Sequence, residues 1–562
     1  MRSLAVACAA ALVCSCLTPA QSVIEDRVVH IPQGPIRGYK DYDNNIFEFY
    51  GVPYATAPTG HHKFKAPLPA PTWMSTFEAV NKNIACPQAQ NQFMPPNMNI
   101  VENCLIANIF VPDTSDTALP VVVYVHGGAF QMGLGNFLTA KKLQSYRKFI
   151  VVNFNYRLGA HGFLCLGTED VPGNAGMKDQ VALLRWVREN IVHFGGNPND
   201  VTIAGYSAGS ASVDLLMLSP SAKGLFNKVI PESGANLAAF SVQIEPVKNA
   251  GEYARQLGFK NNFNDIYALE EFYKTVSFET LFTDGFMDRK DSTFLFSPCV
   301  ERKTAEDSFL EDSPYNILRS GNYEKVPLLY GFASMEGLFR VPLFDKWKHD
   351  MNDKFSDFLP PDLQFENEEE KERVANDIKQ FYFGNKLITE NDILAYIDYF
   401  TDVLFAYSTL KGVELHVKAG NNHVFLYEFS YVDENYPMSL VPHTDNVRGA
   451  NHCAQTMAVM DGLEMMFGSE DNITEEYKGV KAMMRELWSN FITTGSPVPS
   501  GSSFTAWPPV GAGGAPHMSI GRTLELRGAL LDRRVRFWDA IYERHYRAPQ
   551  PPPTPIALRT EL

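Results

Sequence analysis

The chain has 562 residues, 45% of them hydrophobic, and a formal net charge of −15. That length and apolar content allow a large buried core, and α/β enzymes often exceed the average domain size. No dense Lys/Arg run interrupts the acidic balance, which excludes the electrostatic footprint of a nucleic-acid partner and reads as plain solubility.

The chain opens on a secretory leader, residues 1–20. Arg2 is its charged start, Leu4 to Cys16 its apolar centre, and Leu17-Thr18-Pro19-Ala20 its small-residue cleavage site. No later segment reaches about 18 uninterrupted apolar residues, so no membrane span is expected and the product is a soluble lumenal or extracellular protein. Residues Arg27–Gly38 predict a strand pair turning at Pro32-Gln33-Gly34, and Ile46–Ala55 and Leu105–Pro112 predict further strands. Leu119–Val125 is nearly all β-branched or aromatic, as in a strand covered on both faces of a parallel sheet, and Phe149–Tyr156 is a second of that kind. Val181, Leu184, Val187 and Ile191 recur at helical spacing over Gln180–Val192. A short strand, Val201–Ala204, follows, so the order is strand, helix, strand and the sheet is expected to be mainly parallel with helices on both faces, an α/β fold. Val326–Gly331 and His423–Phe429 add strands; Glu368–Tyr382, Glu475–Thr493 and Leu530–Tyr546 predict helices. Residues 21–547 thus read as one domain, and the Pro-rich tail 548–562 as extended polyproline II outside the fold.

The richest local signal is Gly205-Tyr206-Ser207-Ala208-Gly209, a G-x-S-x-G pentapeptide between that strand and an apolar, helix-compatible run starting at Ser210. Strand, tight turn and helix form the setting of a nucleophile elbow. A serine at the tip of such a turn sits in strained backbone, so its neighbours must be small, and the helix behind it favours a developing negative charge. A serine hydroxyl needs a base, a group that orients the base, and N–H donors for the oxyanion. His126-Gly127-Gly128-Ala129 supplies flexible backbone donors on a loop after an early strand. In this fold the acid and then the base follow the serine along the chain. Glu336 follows a strand end, and His452 sits in Arg448-Gly449-Ala450-Asn451-His452-Cys453, but spacing alone does not select them: seven histidines lie downstream of Ser207, and His443 is the nearest rival base.

Eight cysteines are present; Cys8, Cys14 and Cys16 leave with the leader. The odd remainder (Cys86, Cys104, Cys165, Cys299, Cys453) allows at most two disulfides and leaves at least one thiol free. Cys86 and Cys104 flank a polar loop and are the first pair expected. Cys453, beside His452, suggests that a bulky thiol reagent would inhibit, although burial would equally make it inert. No Cys or His spacing suits a metal, no cofactor is implied, and Asn472-Ile473-Thr474 is a glycosylation sequon.

Taken together the motifs resemble the type-B carboxylesterase/cholinesterase family of the α/β-hydrolase fold. Phe194–Gly209 matches its serine signature, Glu102–Ile109 its second signature with Cys86 as the usual partner of Cys104, and Asn174–Gln180 and Trp488–Gly495 are also similar. The resemblance implies Ser207 as nucleophile, His452 as base, Glu336 as its orienting carboxylate, and the N–H groups of Gly128, Ala129 and Ala208 as oxyanion donors. It also implies a supporting serine at Ser233 and an acyl pocket near Phe240. Four features depart from the family: Ala129 replaces a third glycine, whose methyl would narrow the pocket; no tryptophan lies between Cys86 and Cys104, against a cholinesterase; and neither Tyr206 nor the Cys-Ala-Gln after His452 fits a juvenile hormone esterase. General or odorant-degrading insect carboxylesterases look more similar. The terminal Arg559-Thr560-Glu561-Leu562 resembles a lumenal retention signal. The expected function is hydrolysis of a small lipophilic ester, with Phe282, Phe286, Phe294 and Phe296 either lining a gorge or packing in the core. A silent ester-binding or adhesion protein and an interfacial lipase are the alternatives. The sequence leaves oligomeric state open.

Overall fold

The computed structural model describes residues 25–90, 94–282, 288–302, 308–433, 447–462, 473–511 and 516–554. The leader, Phe286, His443, Asn472 and the last four residues lie outside the described residues.

Among the described residues one 13-stranded sheet organises the fold. Its strands are β1 (Asp26–Ile31), β2 (Gly34–Asp41), β3 (Ile46–Pro53), β4 (Phe77–Glu78), β7 (Ile106–Pro112), β8 (Leu119–Val125), β9 (Ile150–Phe154), β10 (Gly196–Tyr206), β11 (Lys228–Glu232), β12 (Leu328–Ala333), β13 (Val424–Phe429), β14 (His517–Ile520) and β15 (Leu524–Arg527). The remaining strands, β5 (Ile84–Ala85) and β6 (Asn99–Ile100), make a separate pair. The order is β1-β2-β3-β7-β9-β8-β10-β11-β12-β13-β14-β15, with β4 beside β2. From β9 to β14 every neighbouring pair is parallel. The flanks differ from the expected parallel sheet: β1, β2, β3, β7 and β9 pair antiparallel in turn, and β15 closes the far edge antiparallel to β14. Short hairpin turns such as Pro32-Gln33 join β1 to β2, β2 to β3 and β14 to β15, whereas parallel neighbours need a crossover connection.

The core lies on both sheet faces. On β8, Val121, Val123 and Val125 join one apolar cluster while Val122 and Tyr124 join another. This period of two explains why that strand carries no polar residue to mark an outer face.

The helix predicted at Gln180–Val192 runs from Ala175 to Asn190 and continues as a 3-10 turn, Ile191–Phe194. Its start was hidden by Lys178 and Asp179, which break the apolar period. Asp179 is nevertheless fully buried and takes Arg157 in a 2.6 Å ion pair, a charge that only a long-range partner makes tolerable there. The elbow strand is longer than Val201–Ala204 because Gly196–Asp200 joins it across a register shift against β8.

Two disulfides form, Cys86–Cys104 and Cys165–Cys299, and Cys453 is a buried free cysteine. In its described part, residues 548–554, the tail packs against the domain instead of lying outside the fold. Pro549 and Pro552 are buried, and Arg302 donates to the carbonyls of Pro552 (2.9 Å) and Pro553. Proline-rich backbone has no internal hydrogen bonds, so its carbonyls are free to accept from a neighbouring guanidinium. Among the described residues no helix is long and apolar enough to cross a membrane.

Candidate active site

Parallel neighbours bring their carboxyl ends to one edge, where sites in such sheets form. Ser207 follows β10, Ser233 follows β11, Glu336 lies three residues past β12, and His452 follows β13 after a longer excursion.

Ser207 has φ 55° and ψ −124°, outside the regions open to an ordinary side chain. Its N–H is held by the Glu232 carbonyl at 2.9 Å. The turn tolerates no bulk: a Cβ on Gly205 would lie 2.5 Å from the Gly209 carbonyl oxygen, and one on Gly209 would lie 2.2 Å from that of Val125. The helix Ala208–Leu216 begins at once, two residues earlier than expected, so the Ala208 N–H is among its free first-turn donors.

His452 Nε2 lies 2.9 Å from Ser207 Oγ, and His452 Nδ1 lies 2.6 Å from Glu336 Oε2. A carboxylate only accepts, so the Nδ1 proton points at Glu336 and Nε2 is left as the acceptor facing the serine. Glu336 is fully buried, and its Oε1 accepts from the Ala333 N–H at 2.7 Å and the Ser233 hydroxyl at 2.5 Å. Ser233 in turn accepts from Gln455 Nε2 at 2.5 Å. The Met335 N–H donates to Ala450 O at 2.9 Å, which ties the acid's turn to the base's segment. Cys453, at φ 65°, turns the chain sharply after His452 into the helix Ala454–Val459.

Phe405 stacks on the His452 ring at 4.4 Å and Phe339 tilts over it at 5.3 Å. Phe405 belongs to a π-helical turn, Asp402–Ala406, a local widening of the helix common at functional sites. Phe240 packs on Phe405 at 5.7 Å and on Phe294 at 5.0 Å, making an apolar wall that ends at the imidazole. Of the four aromatics singled out in the sequence, Phe294 joins this wall, Phe296 packs on Tyr253, and Phe282 packs on Phe278. Phe339 lies close enough to Glu336 to have been read as part of its turn. Phe405 had no local signal, because only the fold brings it to His452.

The loop after β8 carries Gly128, Ala129 and Phe130 at φ 112°, 56° and 61°. The Gly128 carbonyl accepts from the Gln131 and Met132 N–H groups, and the Ala129 carbonyl from the Gln131 side chain. With the carbonyls so engaged, the loop is a rigid turn beside the elbow. Ala129 itself is buried, at 4% exposure. The Tyr206 ring fills the space beneath Gly127, where a Cβ would come within 2.9 Å of it. Cys453 is 3% exposed, and burial, with Glu336 and Glu232 nearby, raises its thiol well above the ordinary range, which favours the inert alternative over the reactive one.

A serine on a strained strand-to-helix turn, an imidazole bonded to it, and a carboxylate bonded to the imidazole, all at the carboxyl edge of a largely parallel sheet, define an α/β-hydrolase. The model of the carboxylesterase family matches residues 25–538. Esterase FE4 of Myzus persicae is 32% identical over 508 residues, covering 86% of this chain and 86% of that protein. Para-nitrobenzyl esterase of Bacillus subtilis is 31% identical over 486 residues, covering 84% and 90%. The crystal structure of juvenile hormone esterase from Manduca sexta, with OTFP covalently attached, superimposes with a TM-score of 0.80 at 27% identity, over 92% of this chain and 100% of that one. The chain belongs to the carboxylesterase family, and it is a carboxylic ester hydrolase.

Proposed function

We propose that this protein hydrolyses small lipophilic carboxylic esters through an acyl-enzyme on Ser207. His452 Nε2 takes the Oγ proton as Oγ bonds to the ester carbonyl carbon. The N–H groups of Gly128, Ala129 and Ala208 receive the oxyanion. The carbon–alkoxy bond then breaks, and Nε2 returns the proton to the departing alcohol. Water attacks the acyl-enzyme with the same proton path, giving the acid and free Ser207. Glu336 holds the imidazole in the productive tautomer and stabilises its cation. The apolar wall of Phe240, Phe294 and Phe405 favours a lipophilic acyl group.

The observation that carries this reading is the pair of hydrogen bonds joining Ser207 Oγ, His452 and Glu336, at 2.9 and 2.6 Å. Residues 21–547 are taken as one catalytic domain preceded by a cleaved leader. Two disulfides favour an oxidising, secretory destination. The direct test is to quench a reaction with a p-nitrophenyl ester in acid and map the adduct by mass spectrometry. An acyl group on the peptide containing Ser207 is the expected result; an acyl group elsewhere, or none during active turnover, refutes the mechanism.

A further inference from the structure

Glu232 takes no part in the proton transfers above, yet it is fully buried at the end of β11. Burying a carboxyl is costly unless both oxygens find partners. Here the Tyr427 hydroxyl on β13 donates to Oε1, and the Thr456 hydroxyl donates to Oε2 at 2.7 Å. Thr456 lies four residues past His452 on the helix Ala454–Val459. The main-chain carbonyl of Glu232 meanwhile accepts the Ser207 N–H at 2.9 Å. One residue therefore grips the nucleophile's turn through its backbone and the base-bearing segment through its side chain.

We propose that Glu232 is a positioning residue of this active site, its side chain anchoring the His452 segment to β11 and β13 and thereby setting the approach of Nε2 to Ser207 Oγ. The proposal rests on Ser207 and His452 carrying the reaction. The titratable groups that face Glu232 are Tyr427 on β13, Tyr124 on β8, Cys453 after the base, and Glu336 beyond β12. Burial, aided by Glu336, raises its carboxyl to about 7.

The test uses the full-length enzyme with a short p-nitrophenyl ester, kcat and KM being measured separately from about pH 5 to 9. Thr456→Val and Glu232→Leu are expected to lose about 10- to 100-fold in kcat with KM within about twofold, the effect of a base displaced by a fraction of an ångström. Glu232→Gln keeps an acceptor for one hydroxyl, so it is expected to recover most of that loss. If Glu232→Leu does not fold, Thr456→Val and Glu232→Gln decide the matter. Wild-type kcat in Thr456→Val overturns the proposal, as does a loss as large in Glu232→Gln as in Glu232→Leu, or a loss confined to KM. A Ser207→Ala control separates the two levels. Residual wild-type activity there removes the underlying reading, whereas an inactive control beside wild-type-like Glu232 and Thr456 variants refutes the anchoring role alone.

Discussion

Glu336→Gln changes one oxygen to an amide nitrogen and tests the hydrogen-bond logic of the site. Glu336 Oε1 accepts two donors, the Ala333 N–H at 2.7 Å and the Ser233 hydroxyl at 2.5 Å. The glutamine must keep its only oxygen on that side, because an NH₂ there would face two donors. Its NH₂ then faces His452 Nδ1, where Glu336 Oε2 stood at 2.6 Å. Nδ1 is forced to accept, the imidazole proton moves to Nε2, and Nε2 can no longer take the proton of Ser207 Oγ. Holding a triad histidine in the wrong tautomer costs about 10⁴ in kcat, or about 5.5 kcal/mol of transition-state stabilisation. The substitution is isosteric, so KM and the unfolding midpoint should change little. Steady-state kinetics on a p-nitrophenyl ester, with thermal unfolding as the folding control, reads this directly. A loss under about tenfold in a folded Glu336→Gln enzyme refutes the argument, because it would mean that the tautomer is not set by this carboxylate.

The remaining predictions concern the scaffold. Cys165→Ser opens a link between residues 134 apart, which in the chain-entropy picture stabilises by about 4–5 kcal/mol; denaturant unfolding of the variant should show a loss of that order, and an unchanged midpoint would contradict it. A maleimide applied to the native enzyme should leave both Cys453 and activity intact, and should label Cys453 only after unfolding; rapid labelling with inhibition would refute its burial. The Glu232 carboxyl stands at about 7 in the folded state against an ordinary 4.5. The unfolded chain therefore releases this proton first, and stability from this group is present at low pH and declines as pH rises from about 4.5 to 7. Glu232→Gln should flatten that part of the stability profile by a few kcal/mol, and an unchanged slope would count against it.

The parts of the fold legible in the sequence are those fixed by local chemistry. Leu119–Val125 is read to the residue, because a strand covered on both faces must be apolar throughout. The elbow is legible because strain at Ser207 demands glycine on either side. Glu336 and His452 are different: nothing in their local sequence separates them from other acids and histidines, and only family resemblance selected them before geometry brought them together. What stayed hidden depends on distant partners. Asp179 is buried on the helix only because Arg157, distant in sequence, pairs with it. Phe405 is 47 positions before His452, and the Pro-rich tail has no apolar pattern to announce that Arg302 holds it. Glu232 resembled an ordinary solvated acid, since its burial follows from β13 and the helix after His452 rather than from its neighbours in sequence.

The most direct test of the account is kcat/KM for p-nitrophenyl esters from acetate to a long-chain acyl group, wild type beside Ser207→Ala. The account predicts turnover by the wild type, with preference for lipophilic acyl groups over acetate, and a Ser207→Ala enzyme that folds normally and has lost about 10⁶-fold in rate. Hydrolysis by Ser207→Ala at a rate near that of the wild type would contradict it, because the ester would then be cleaved by some group other than the serine at the elbow.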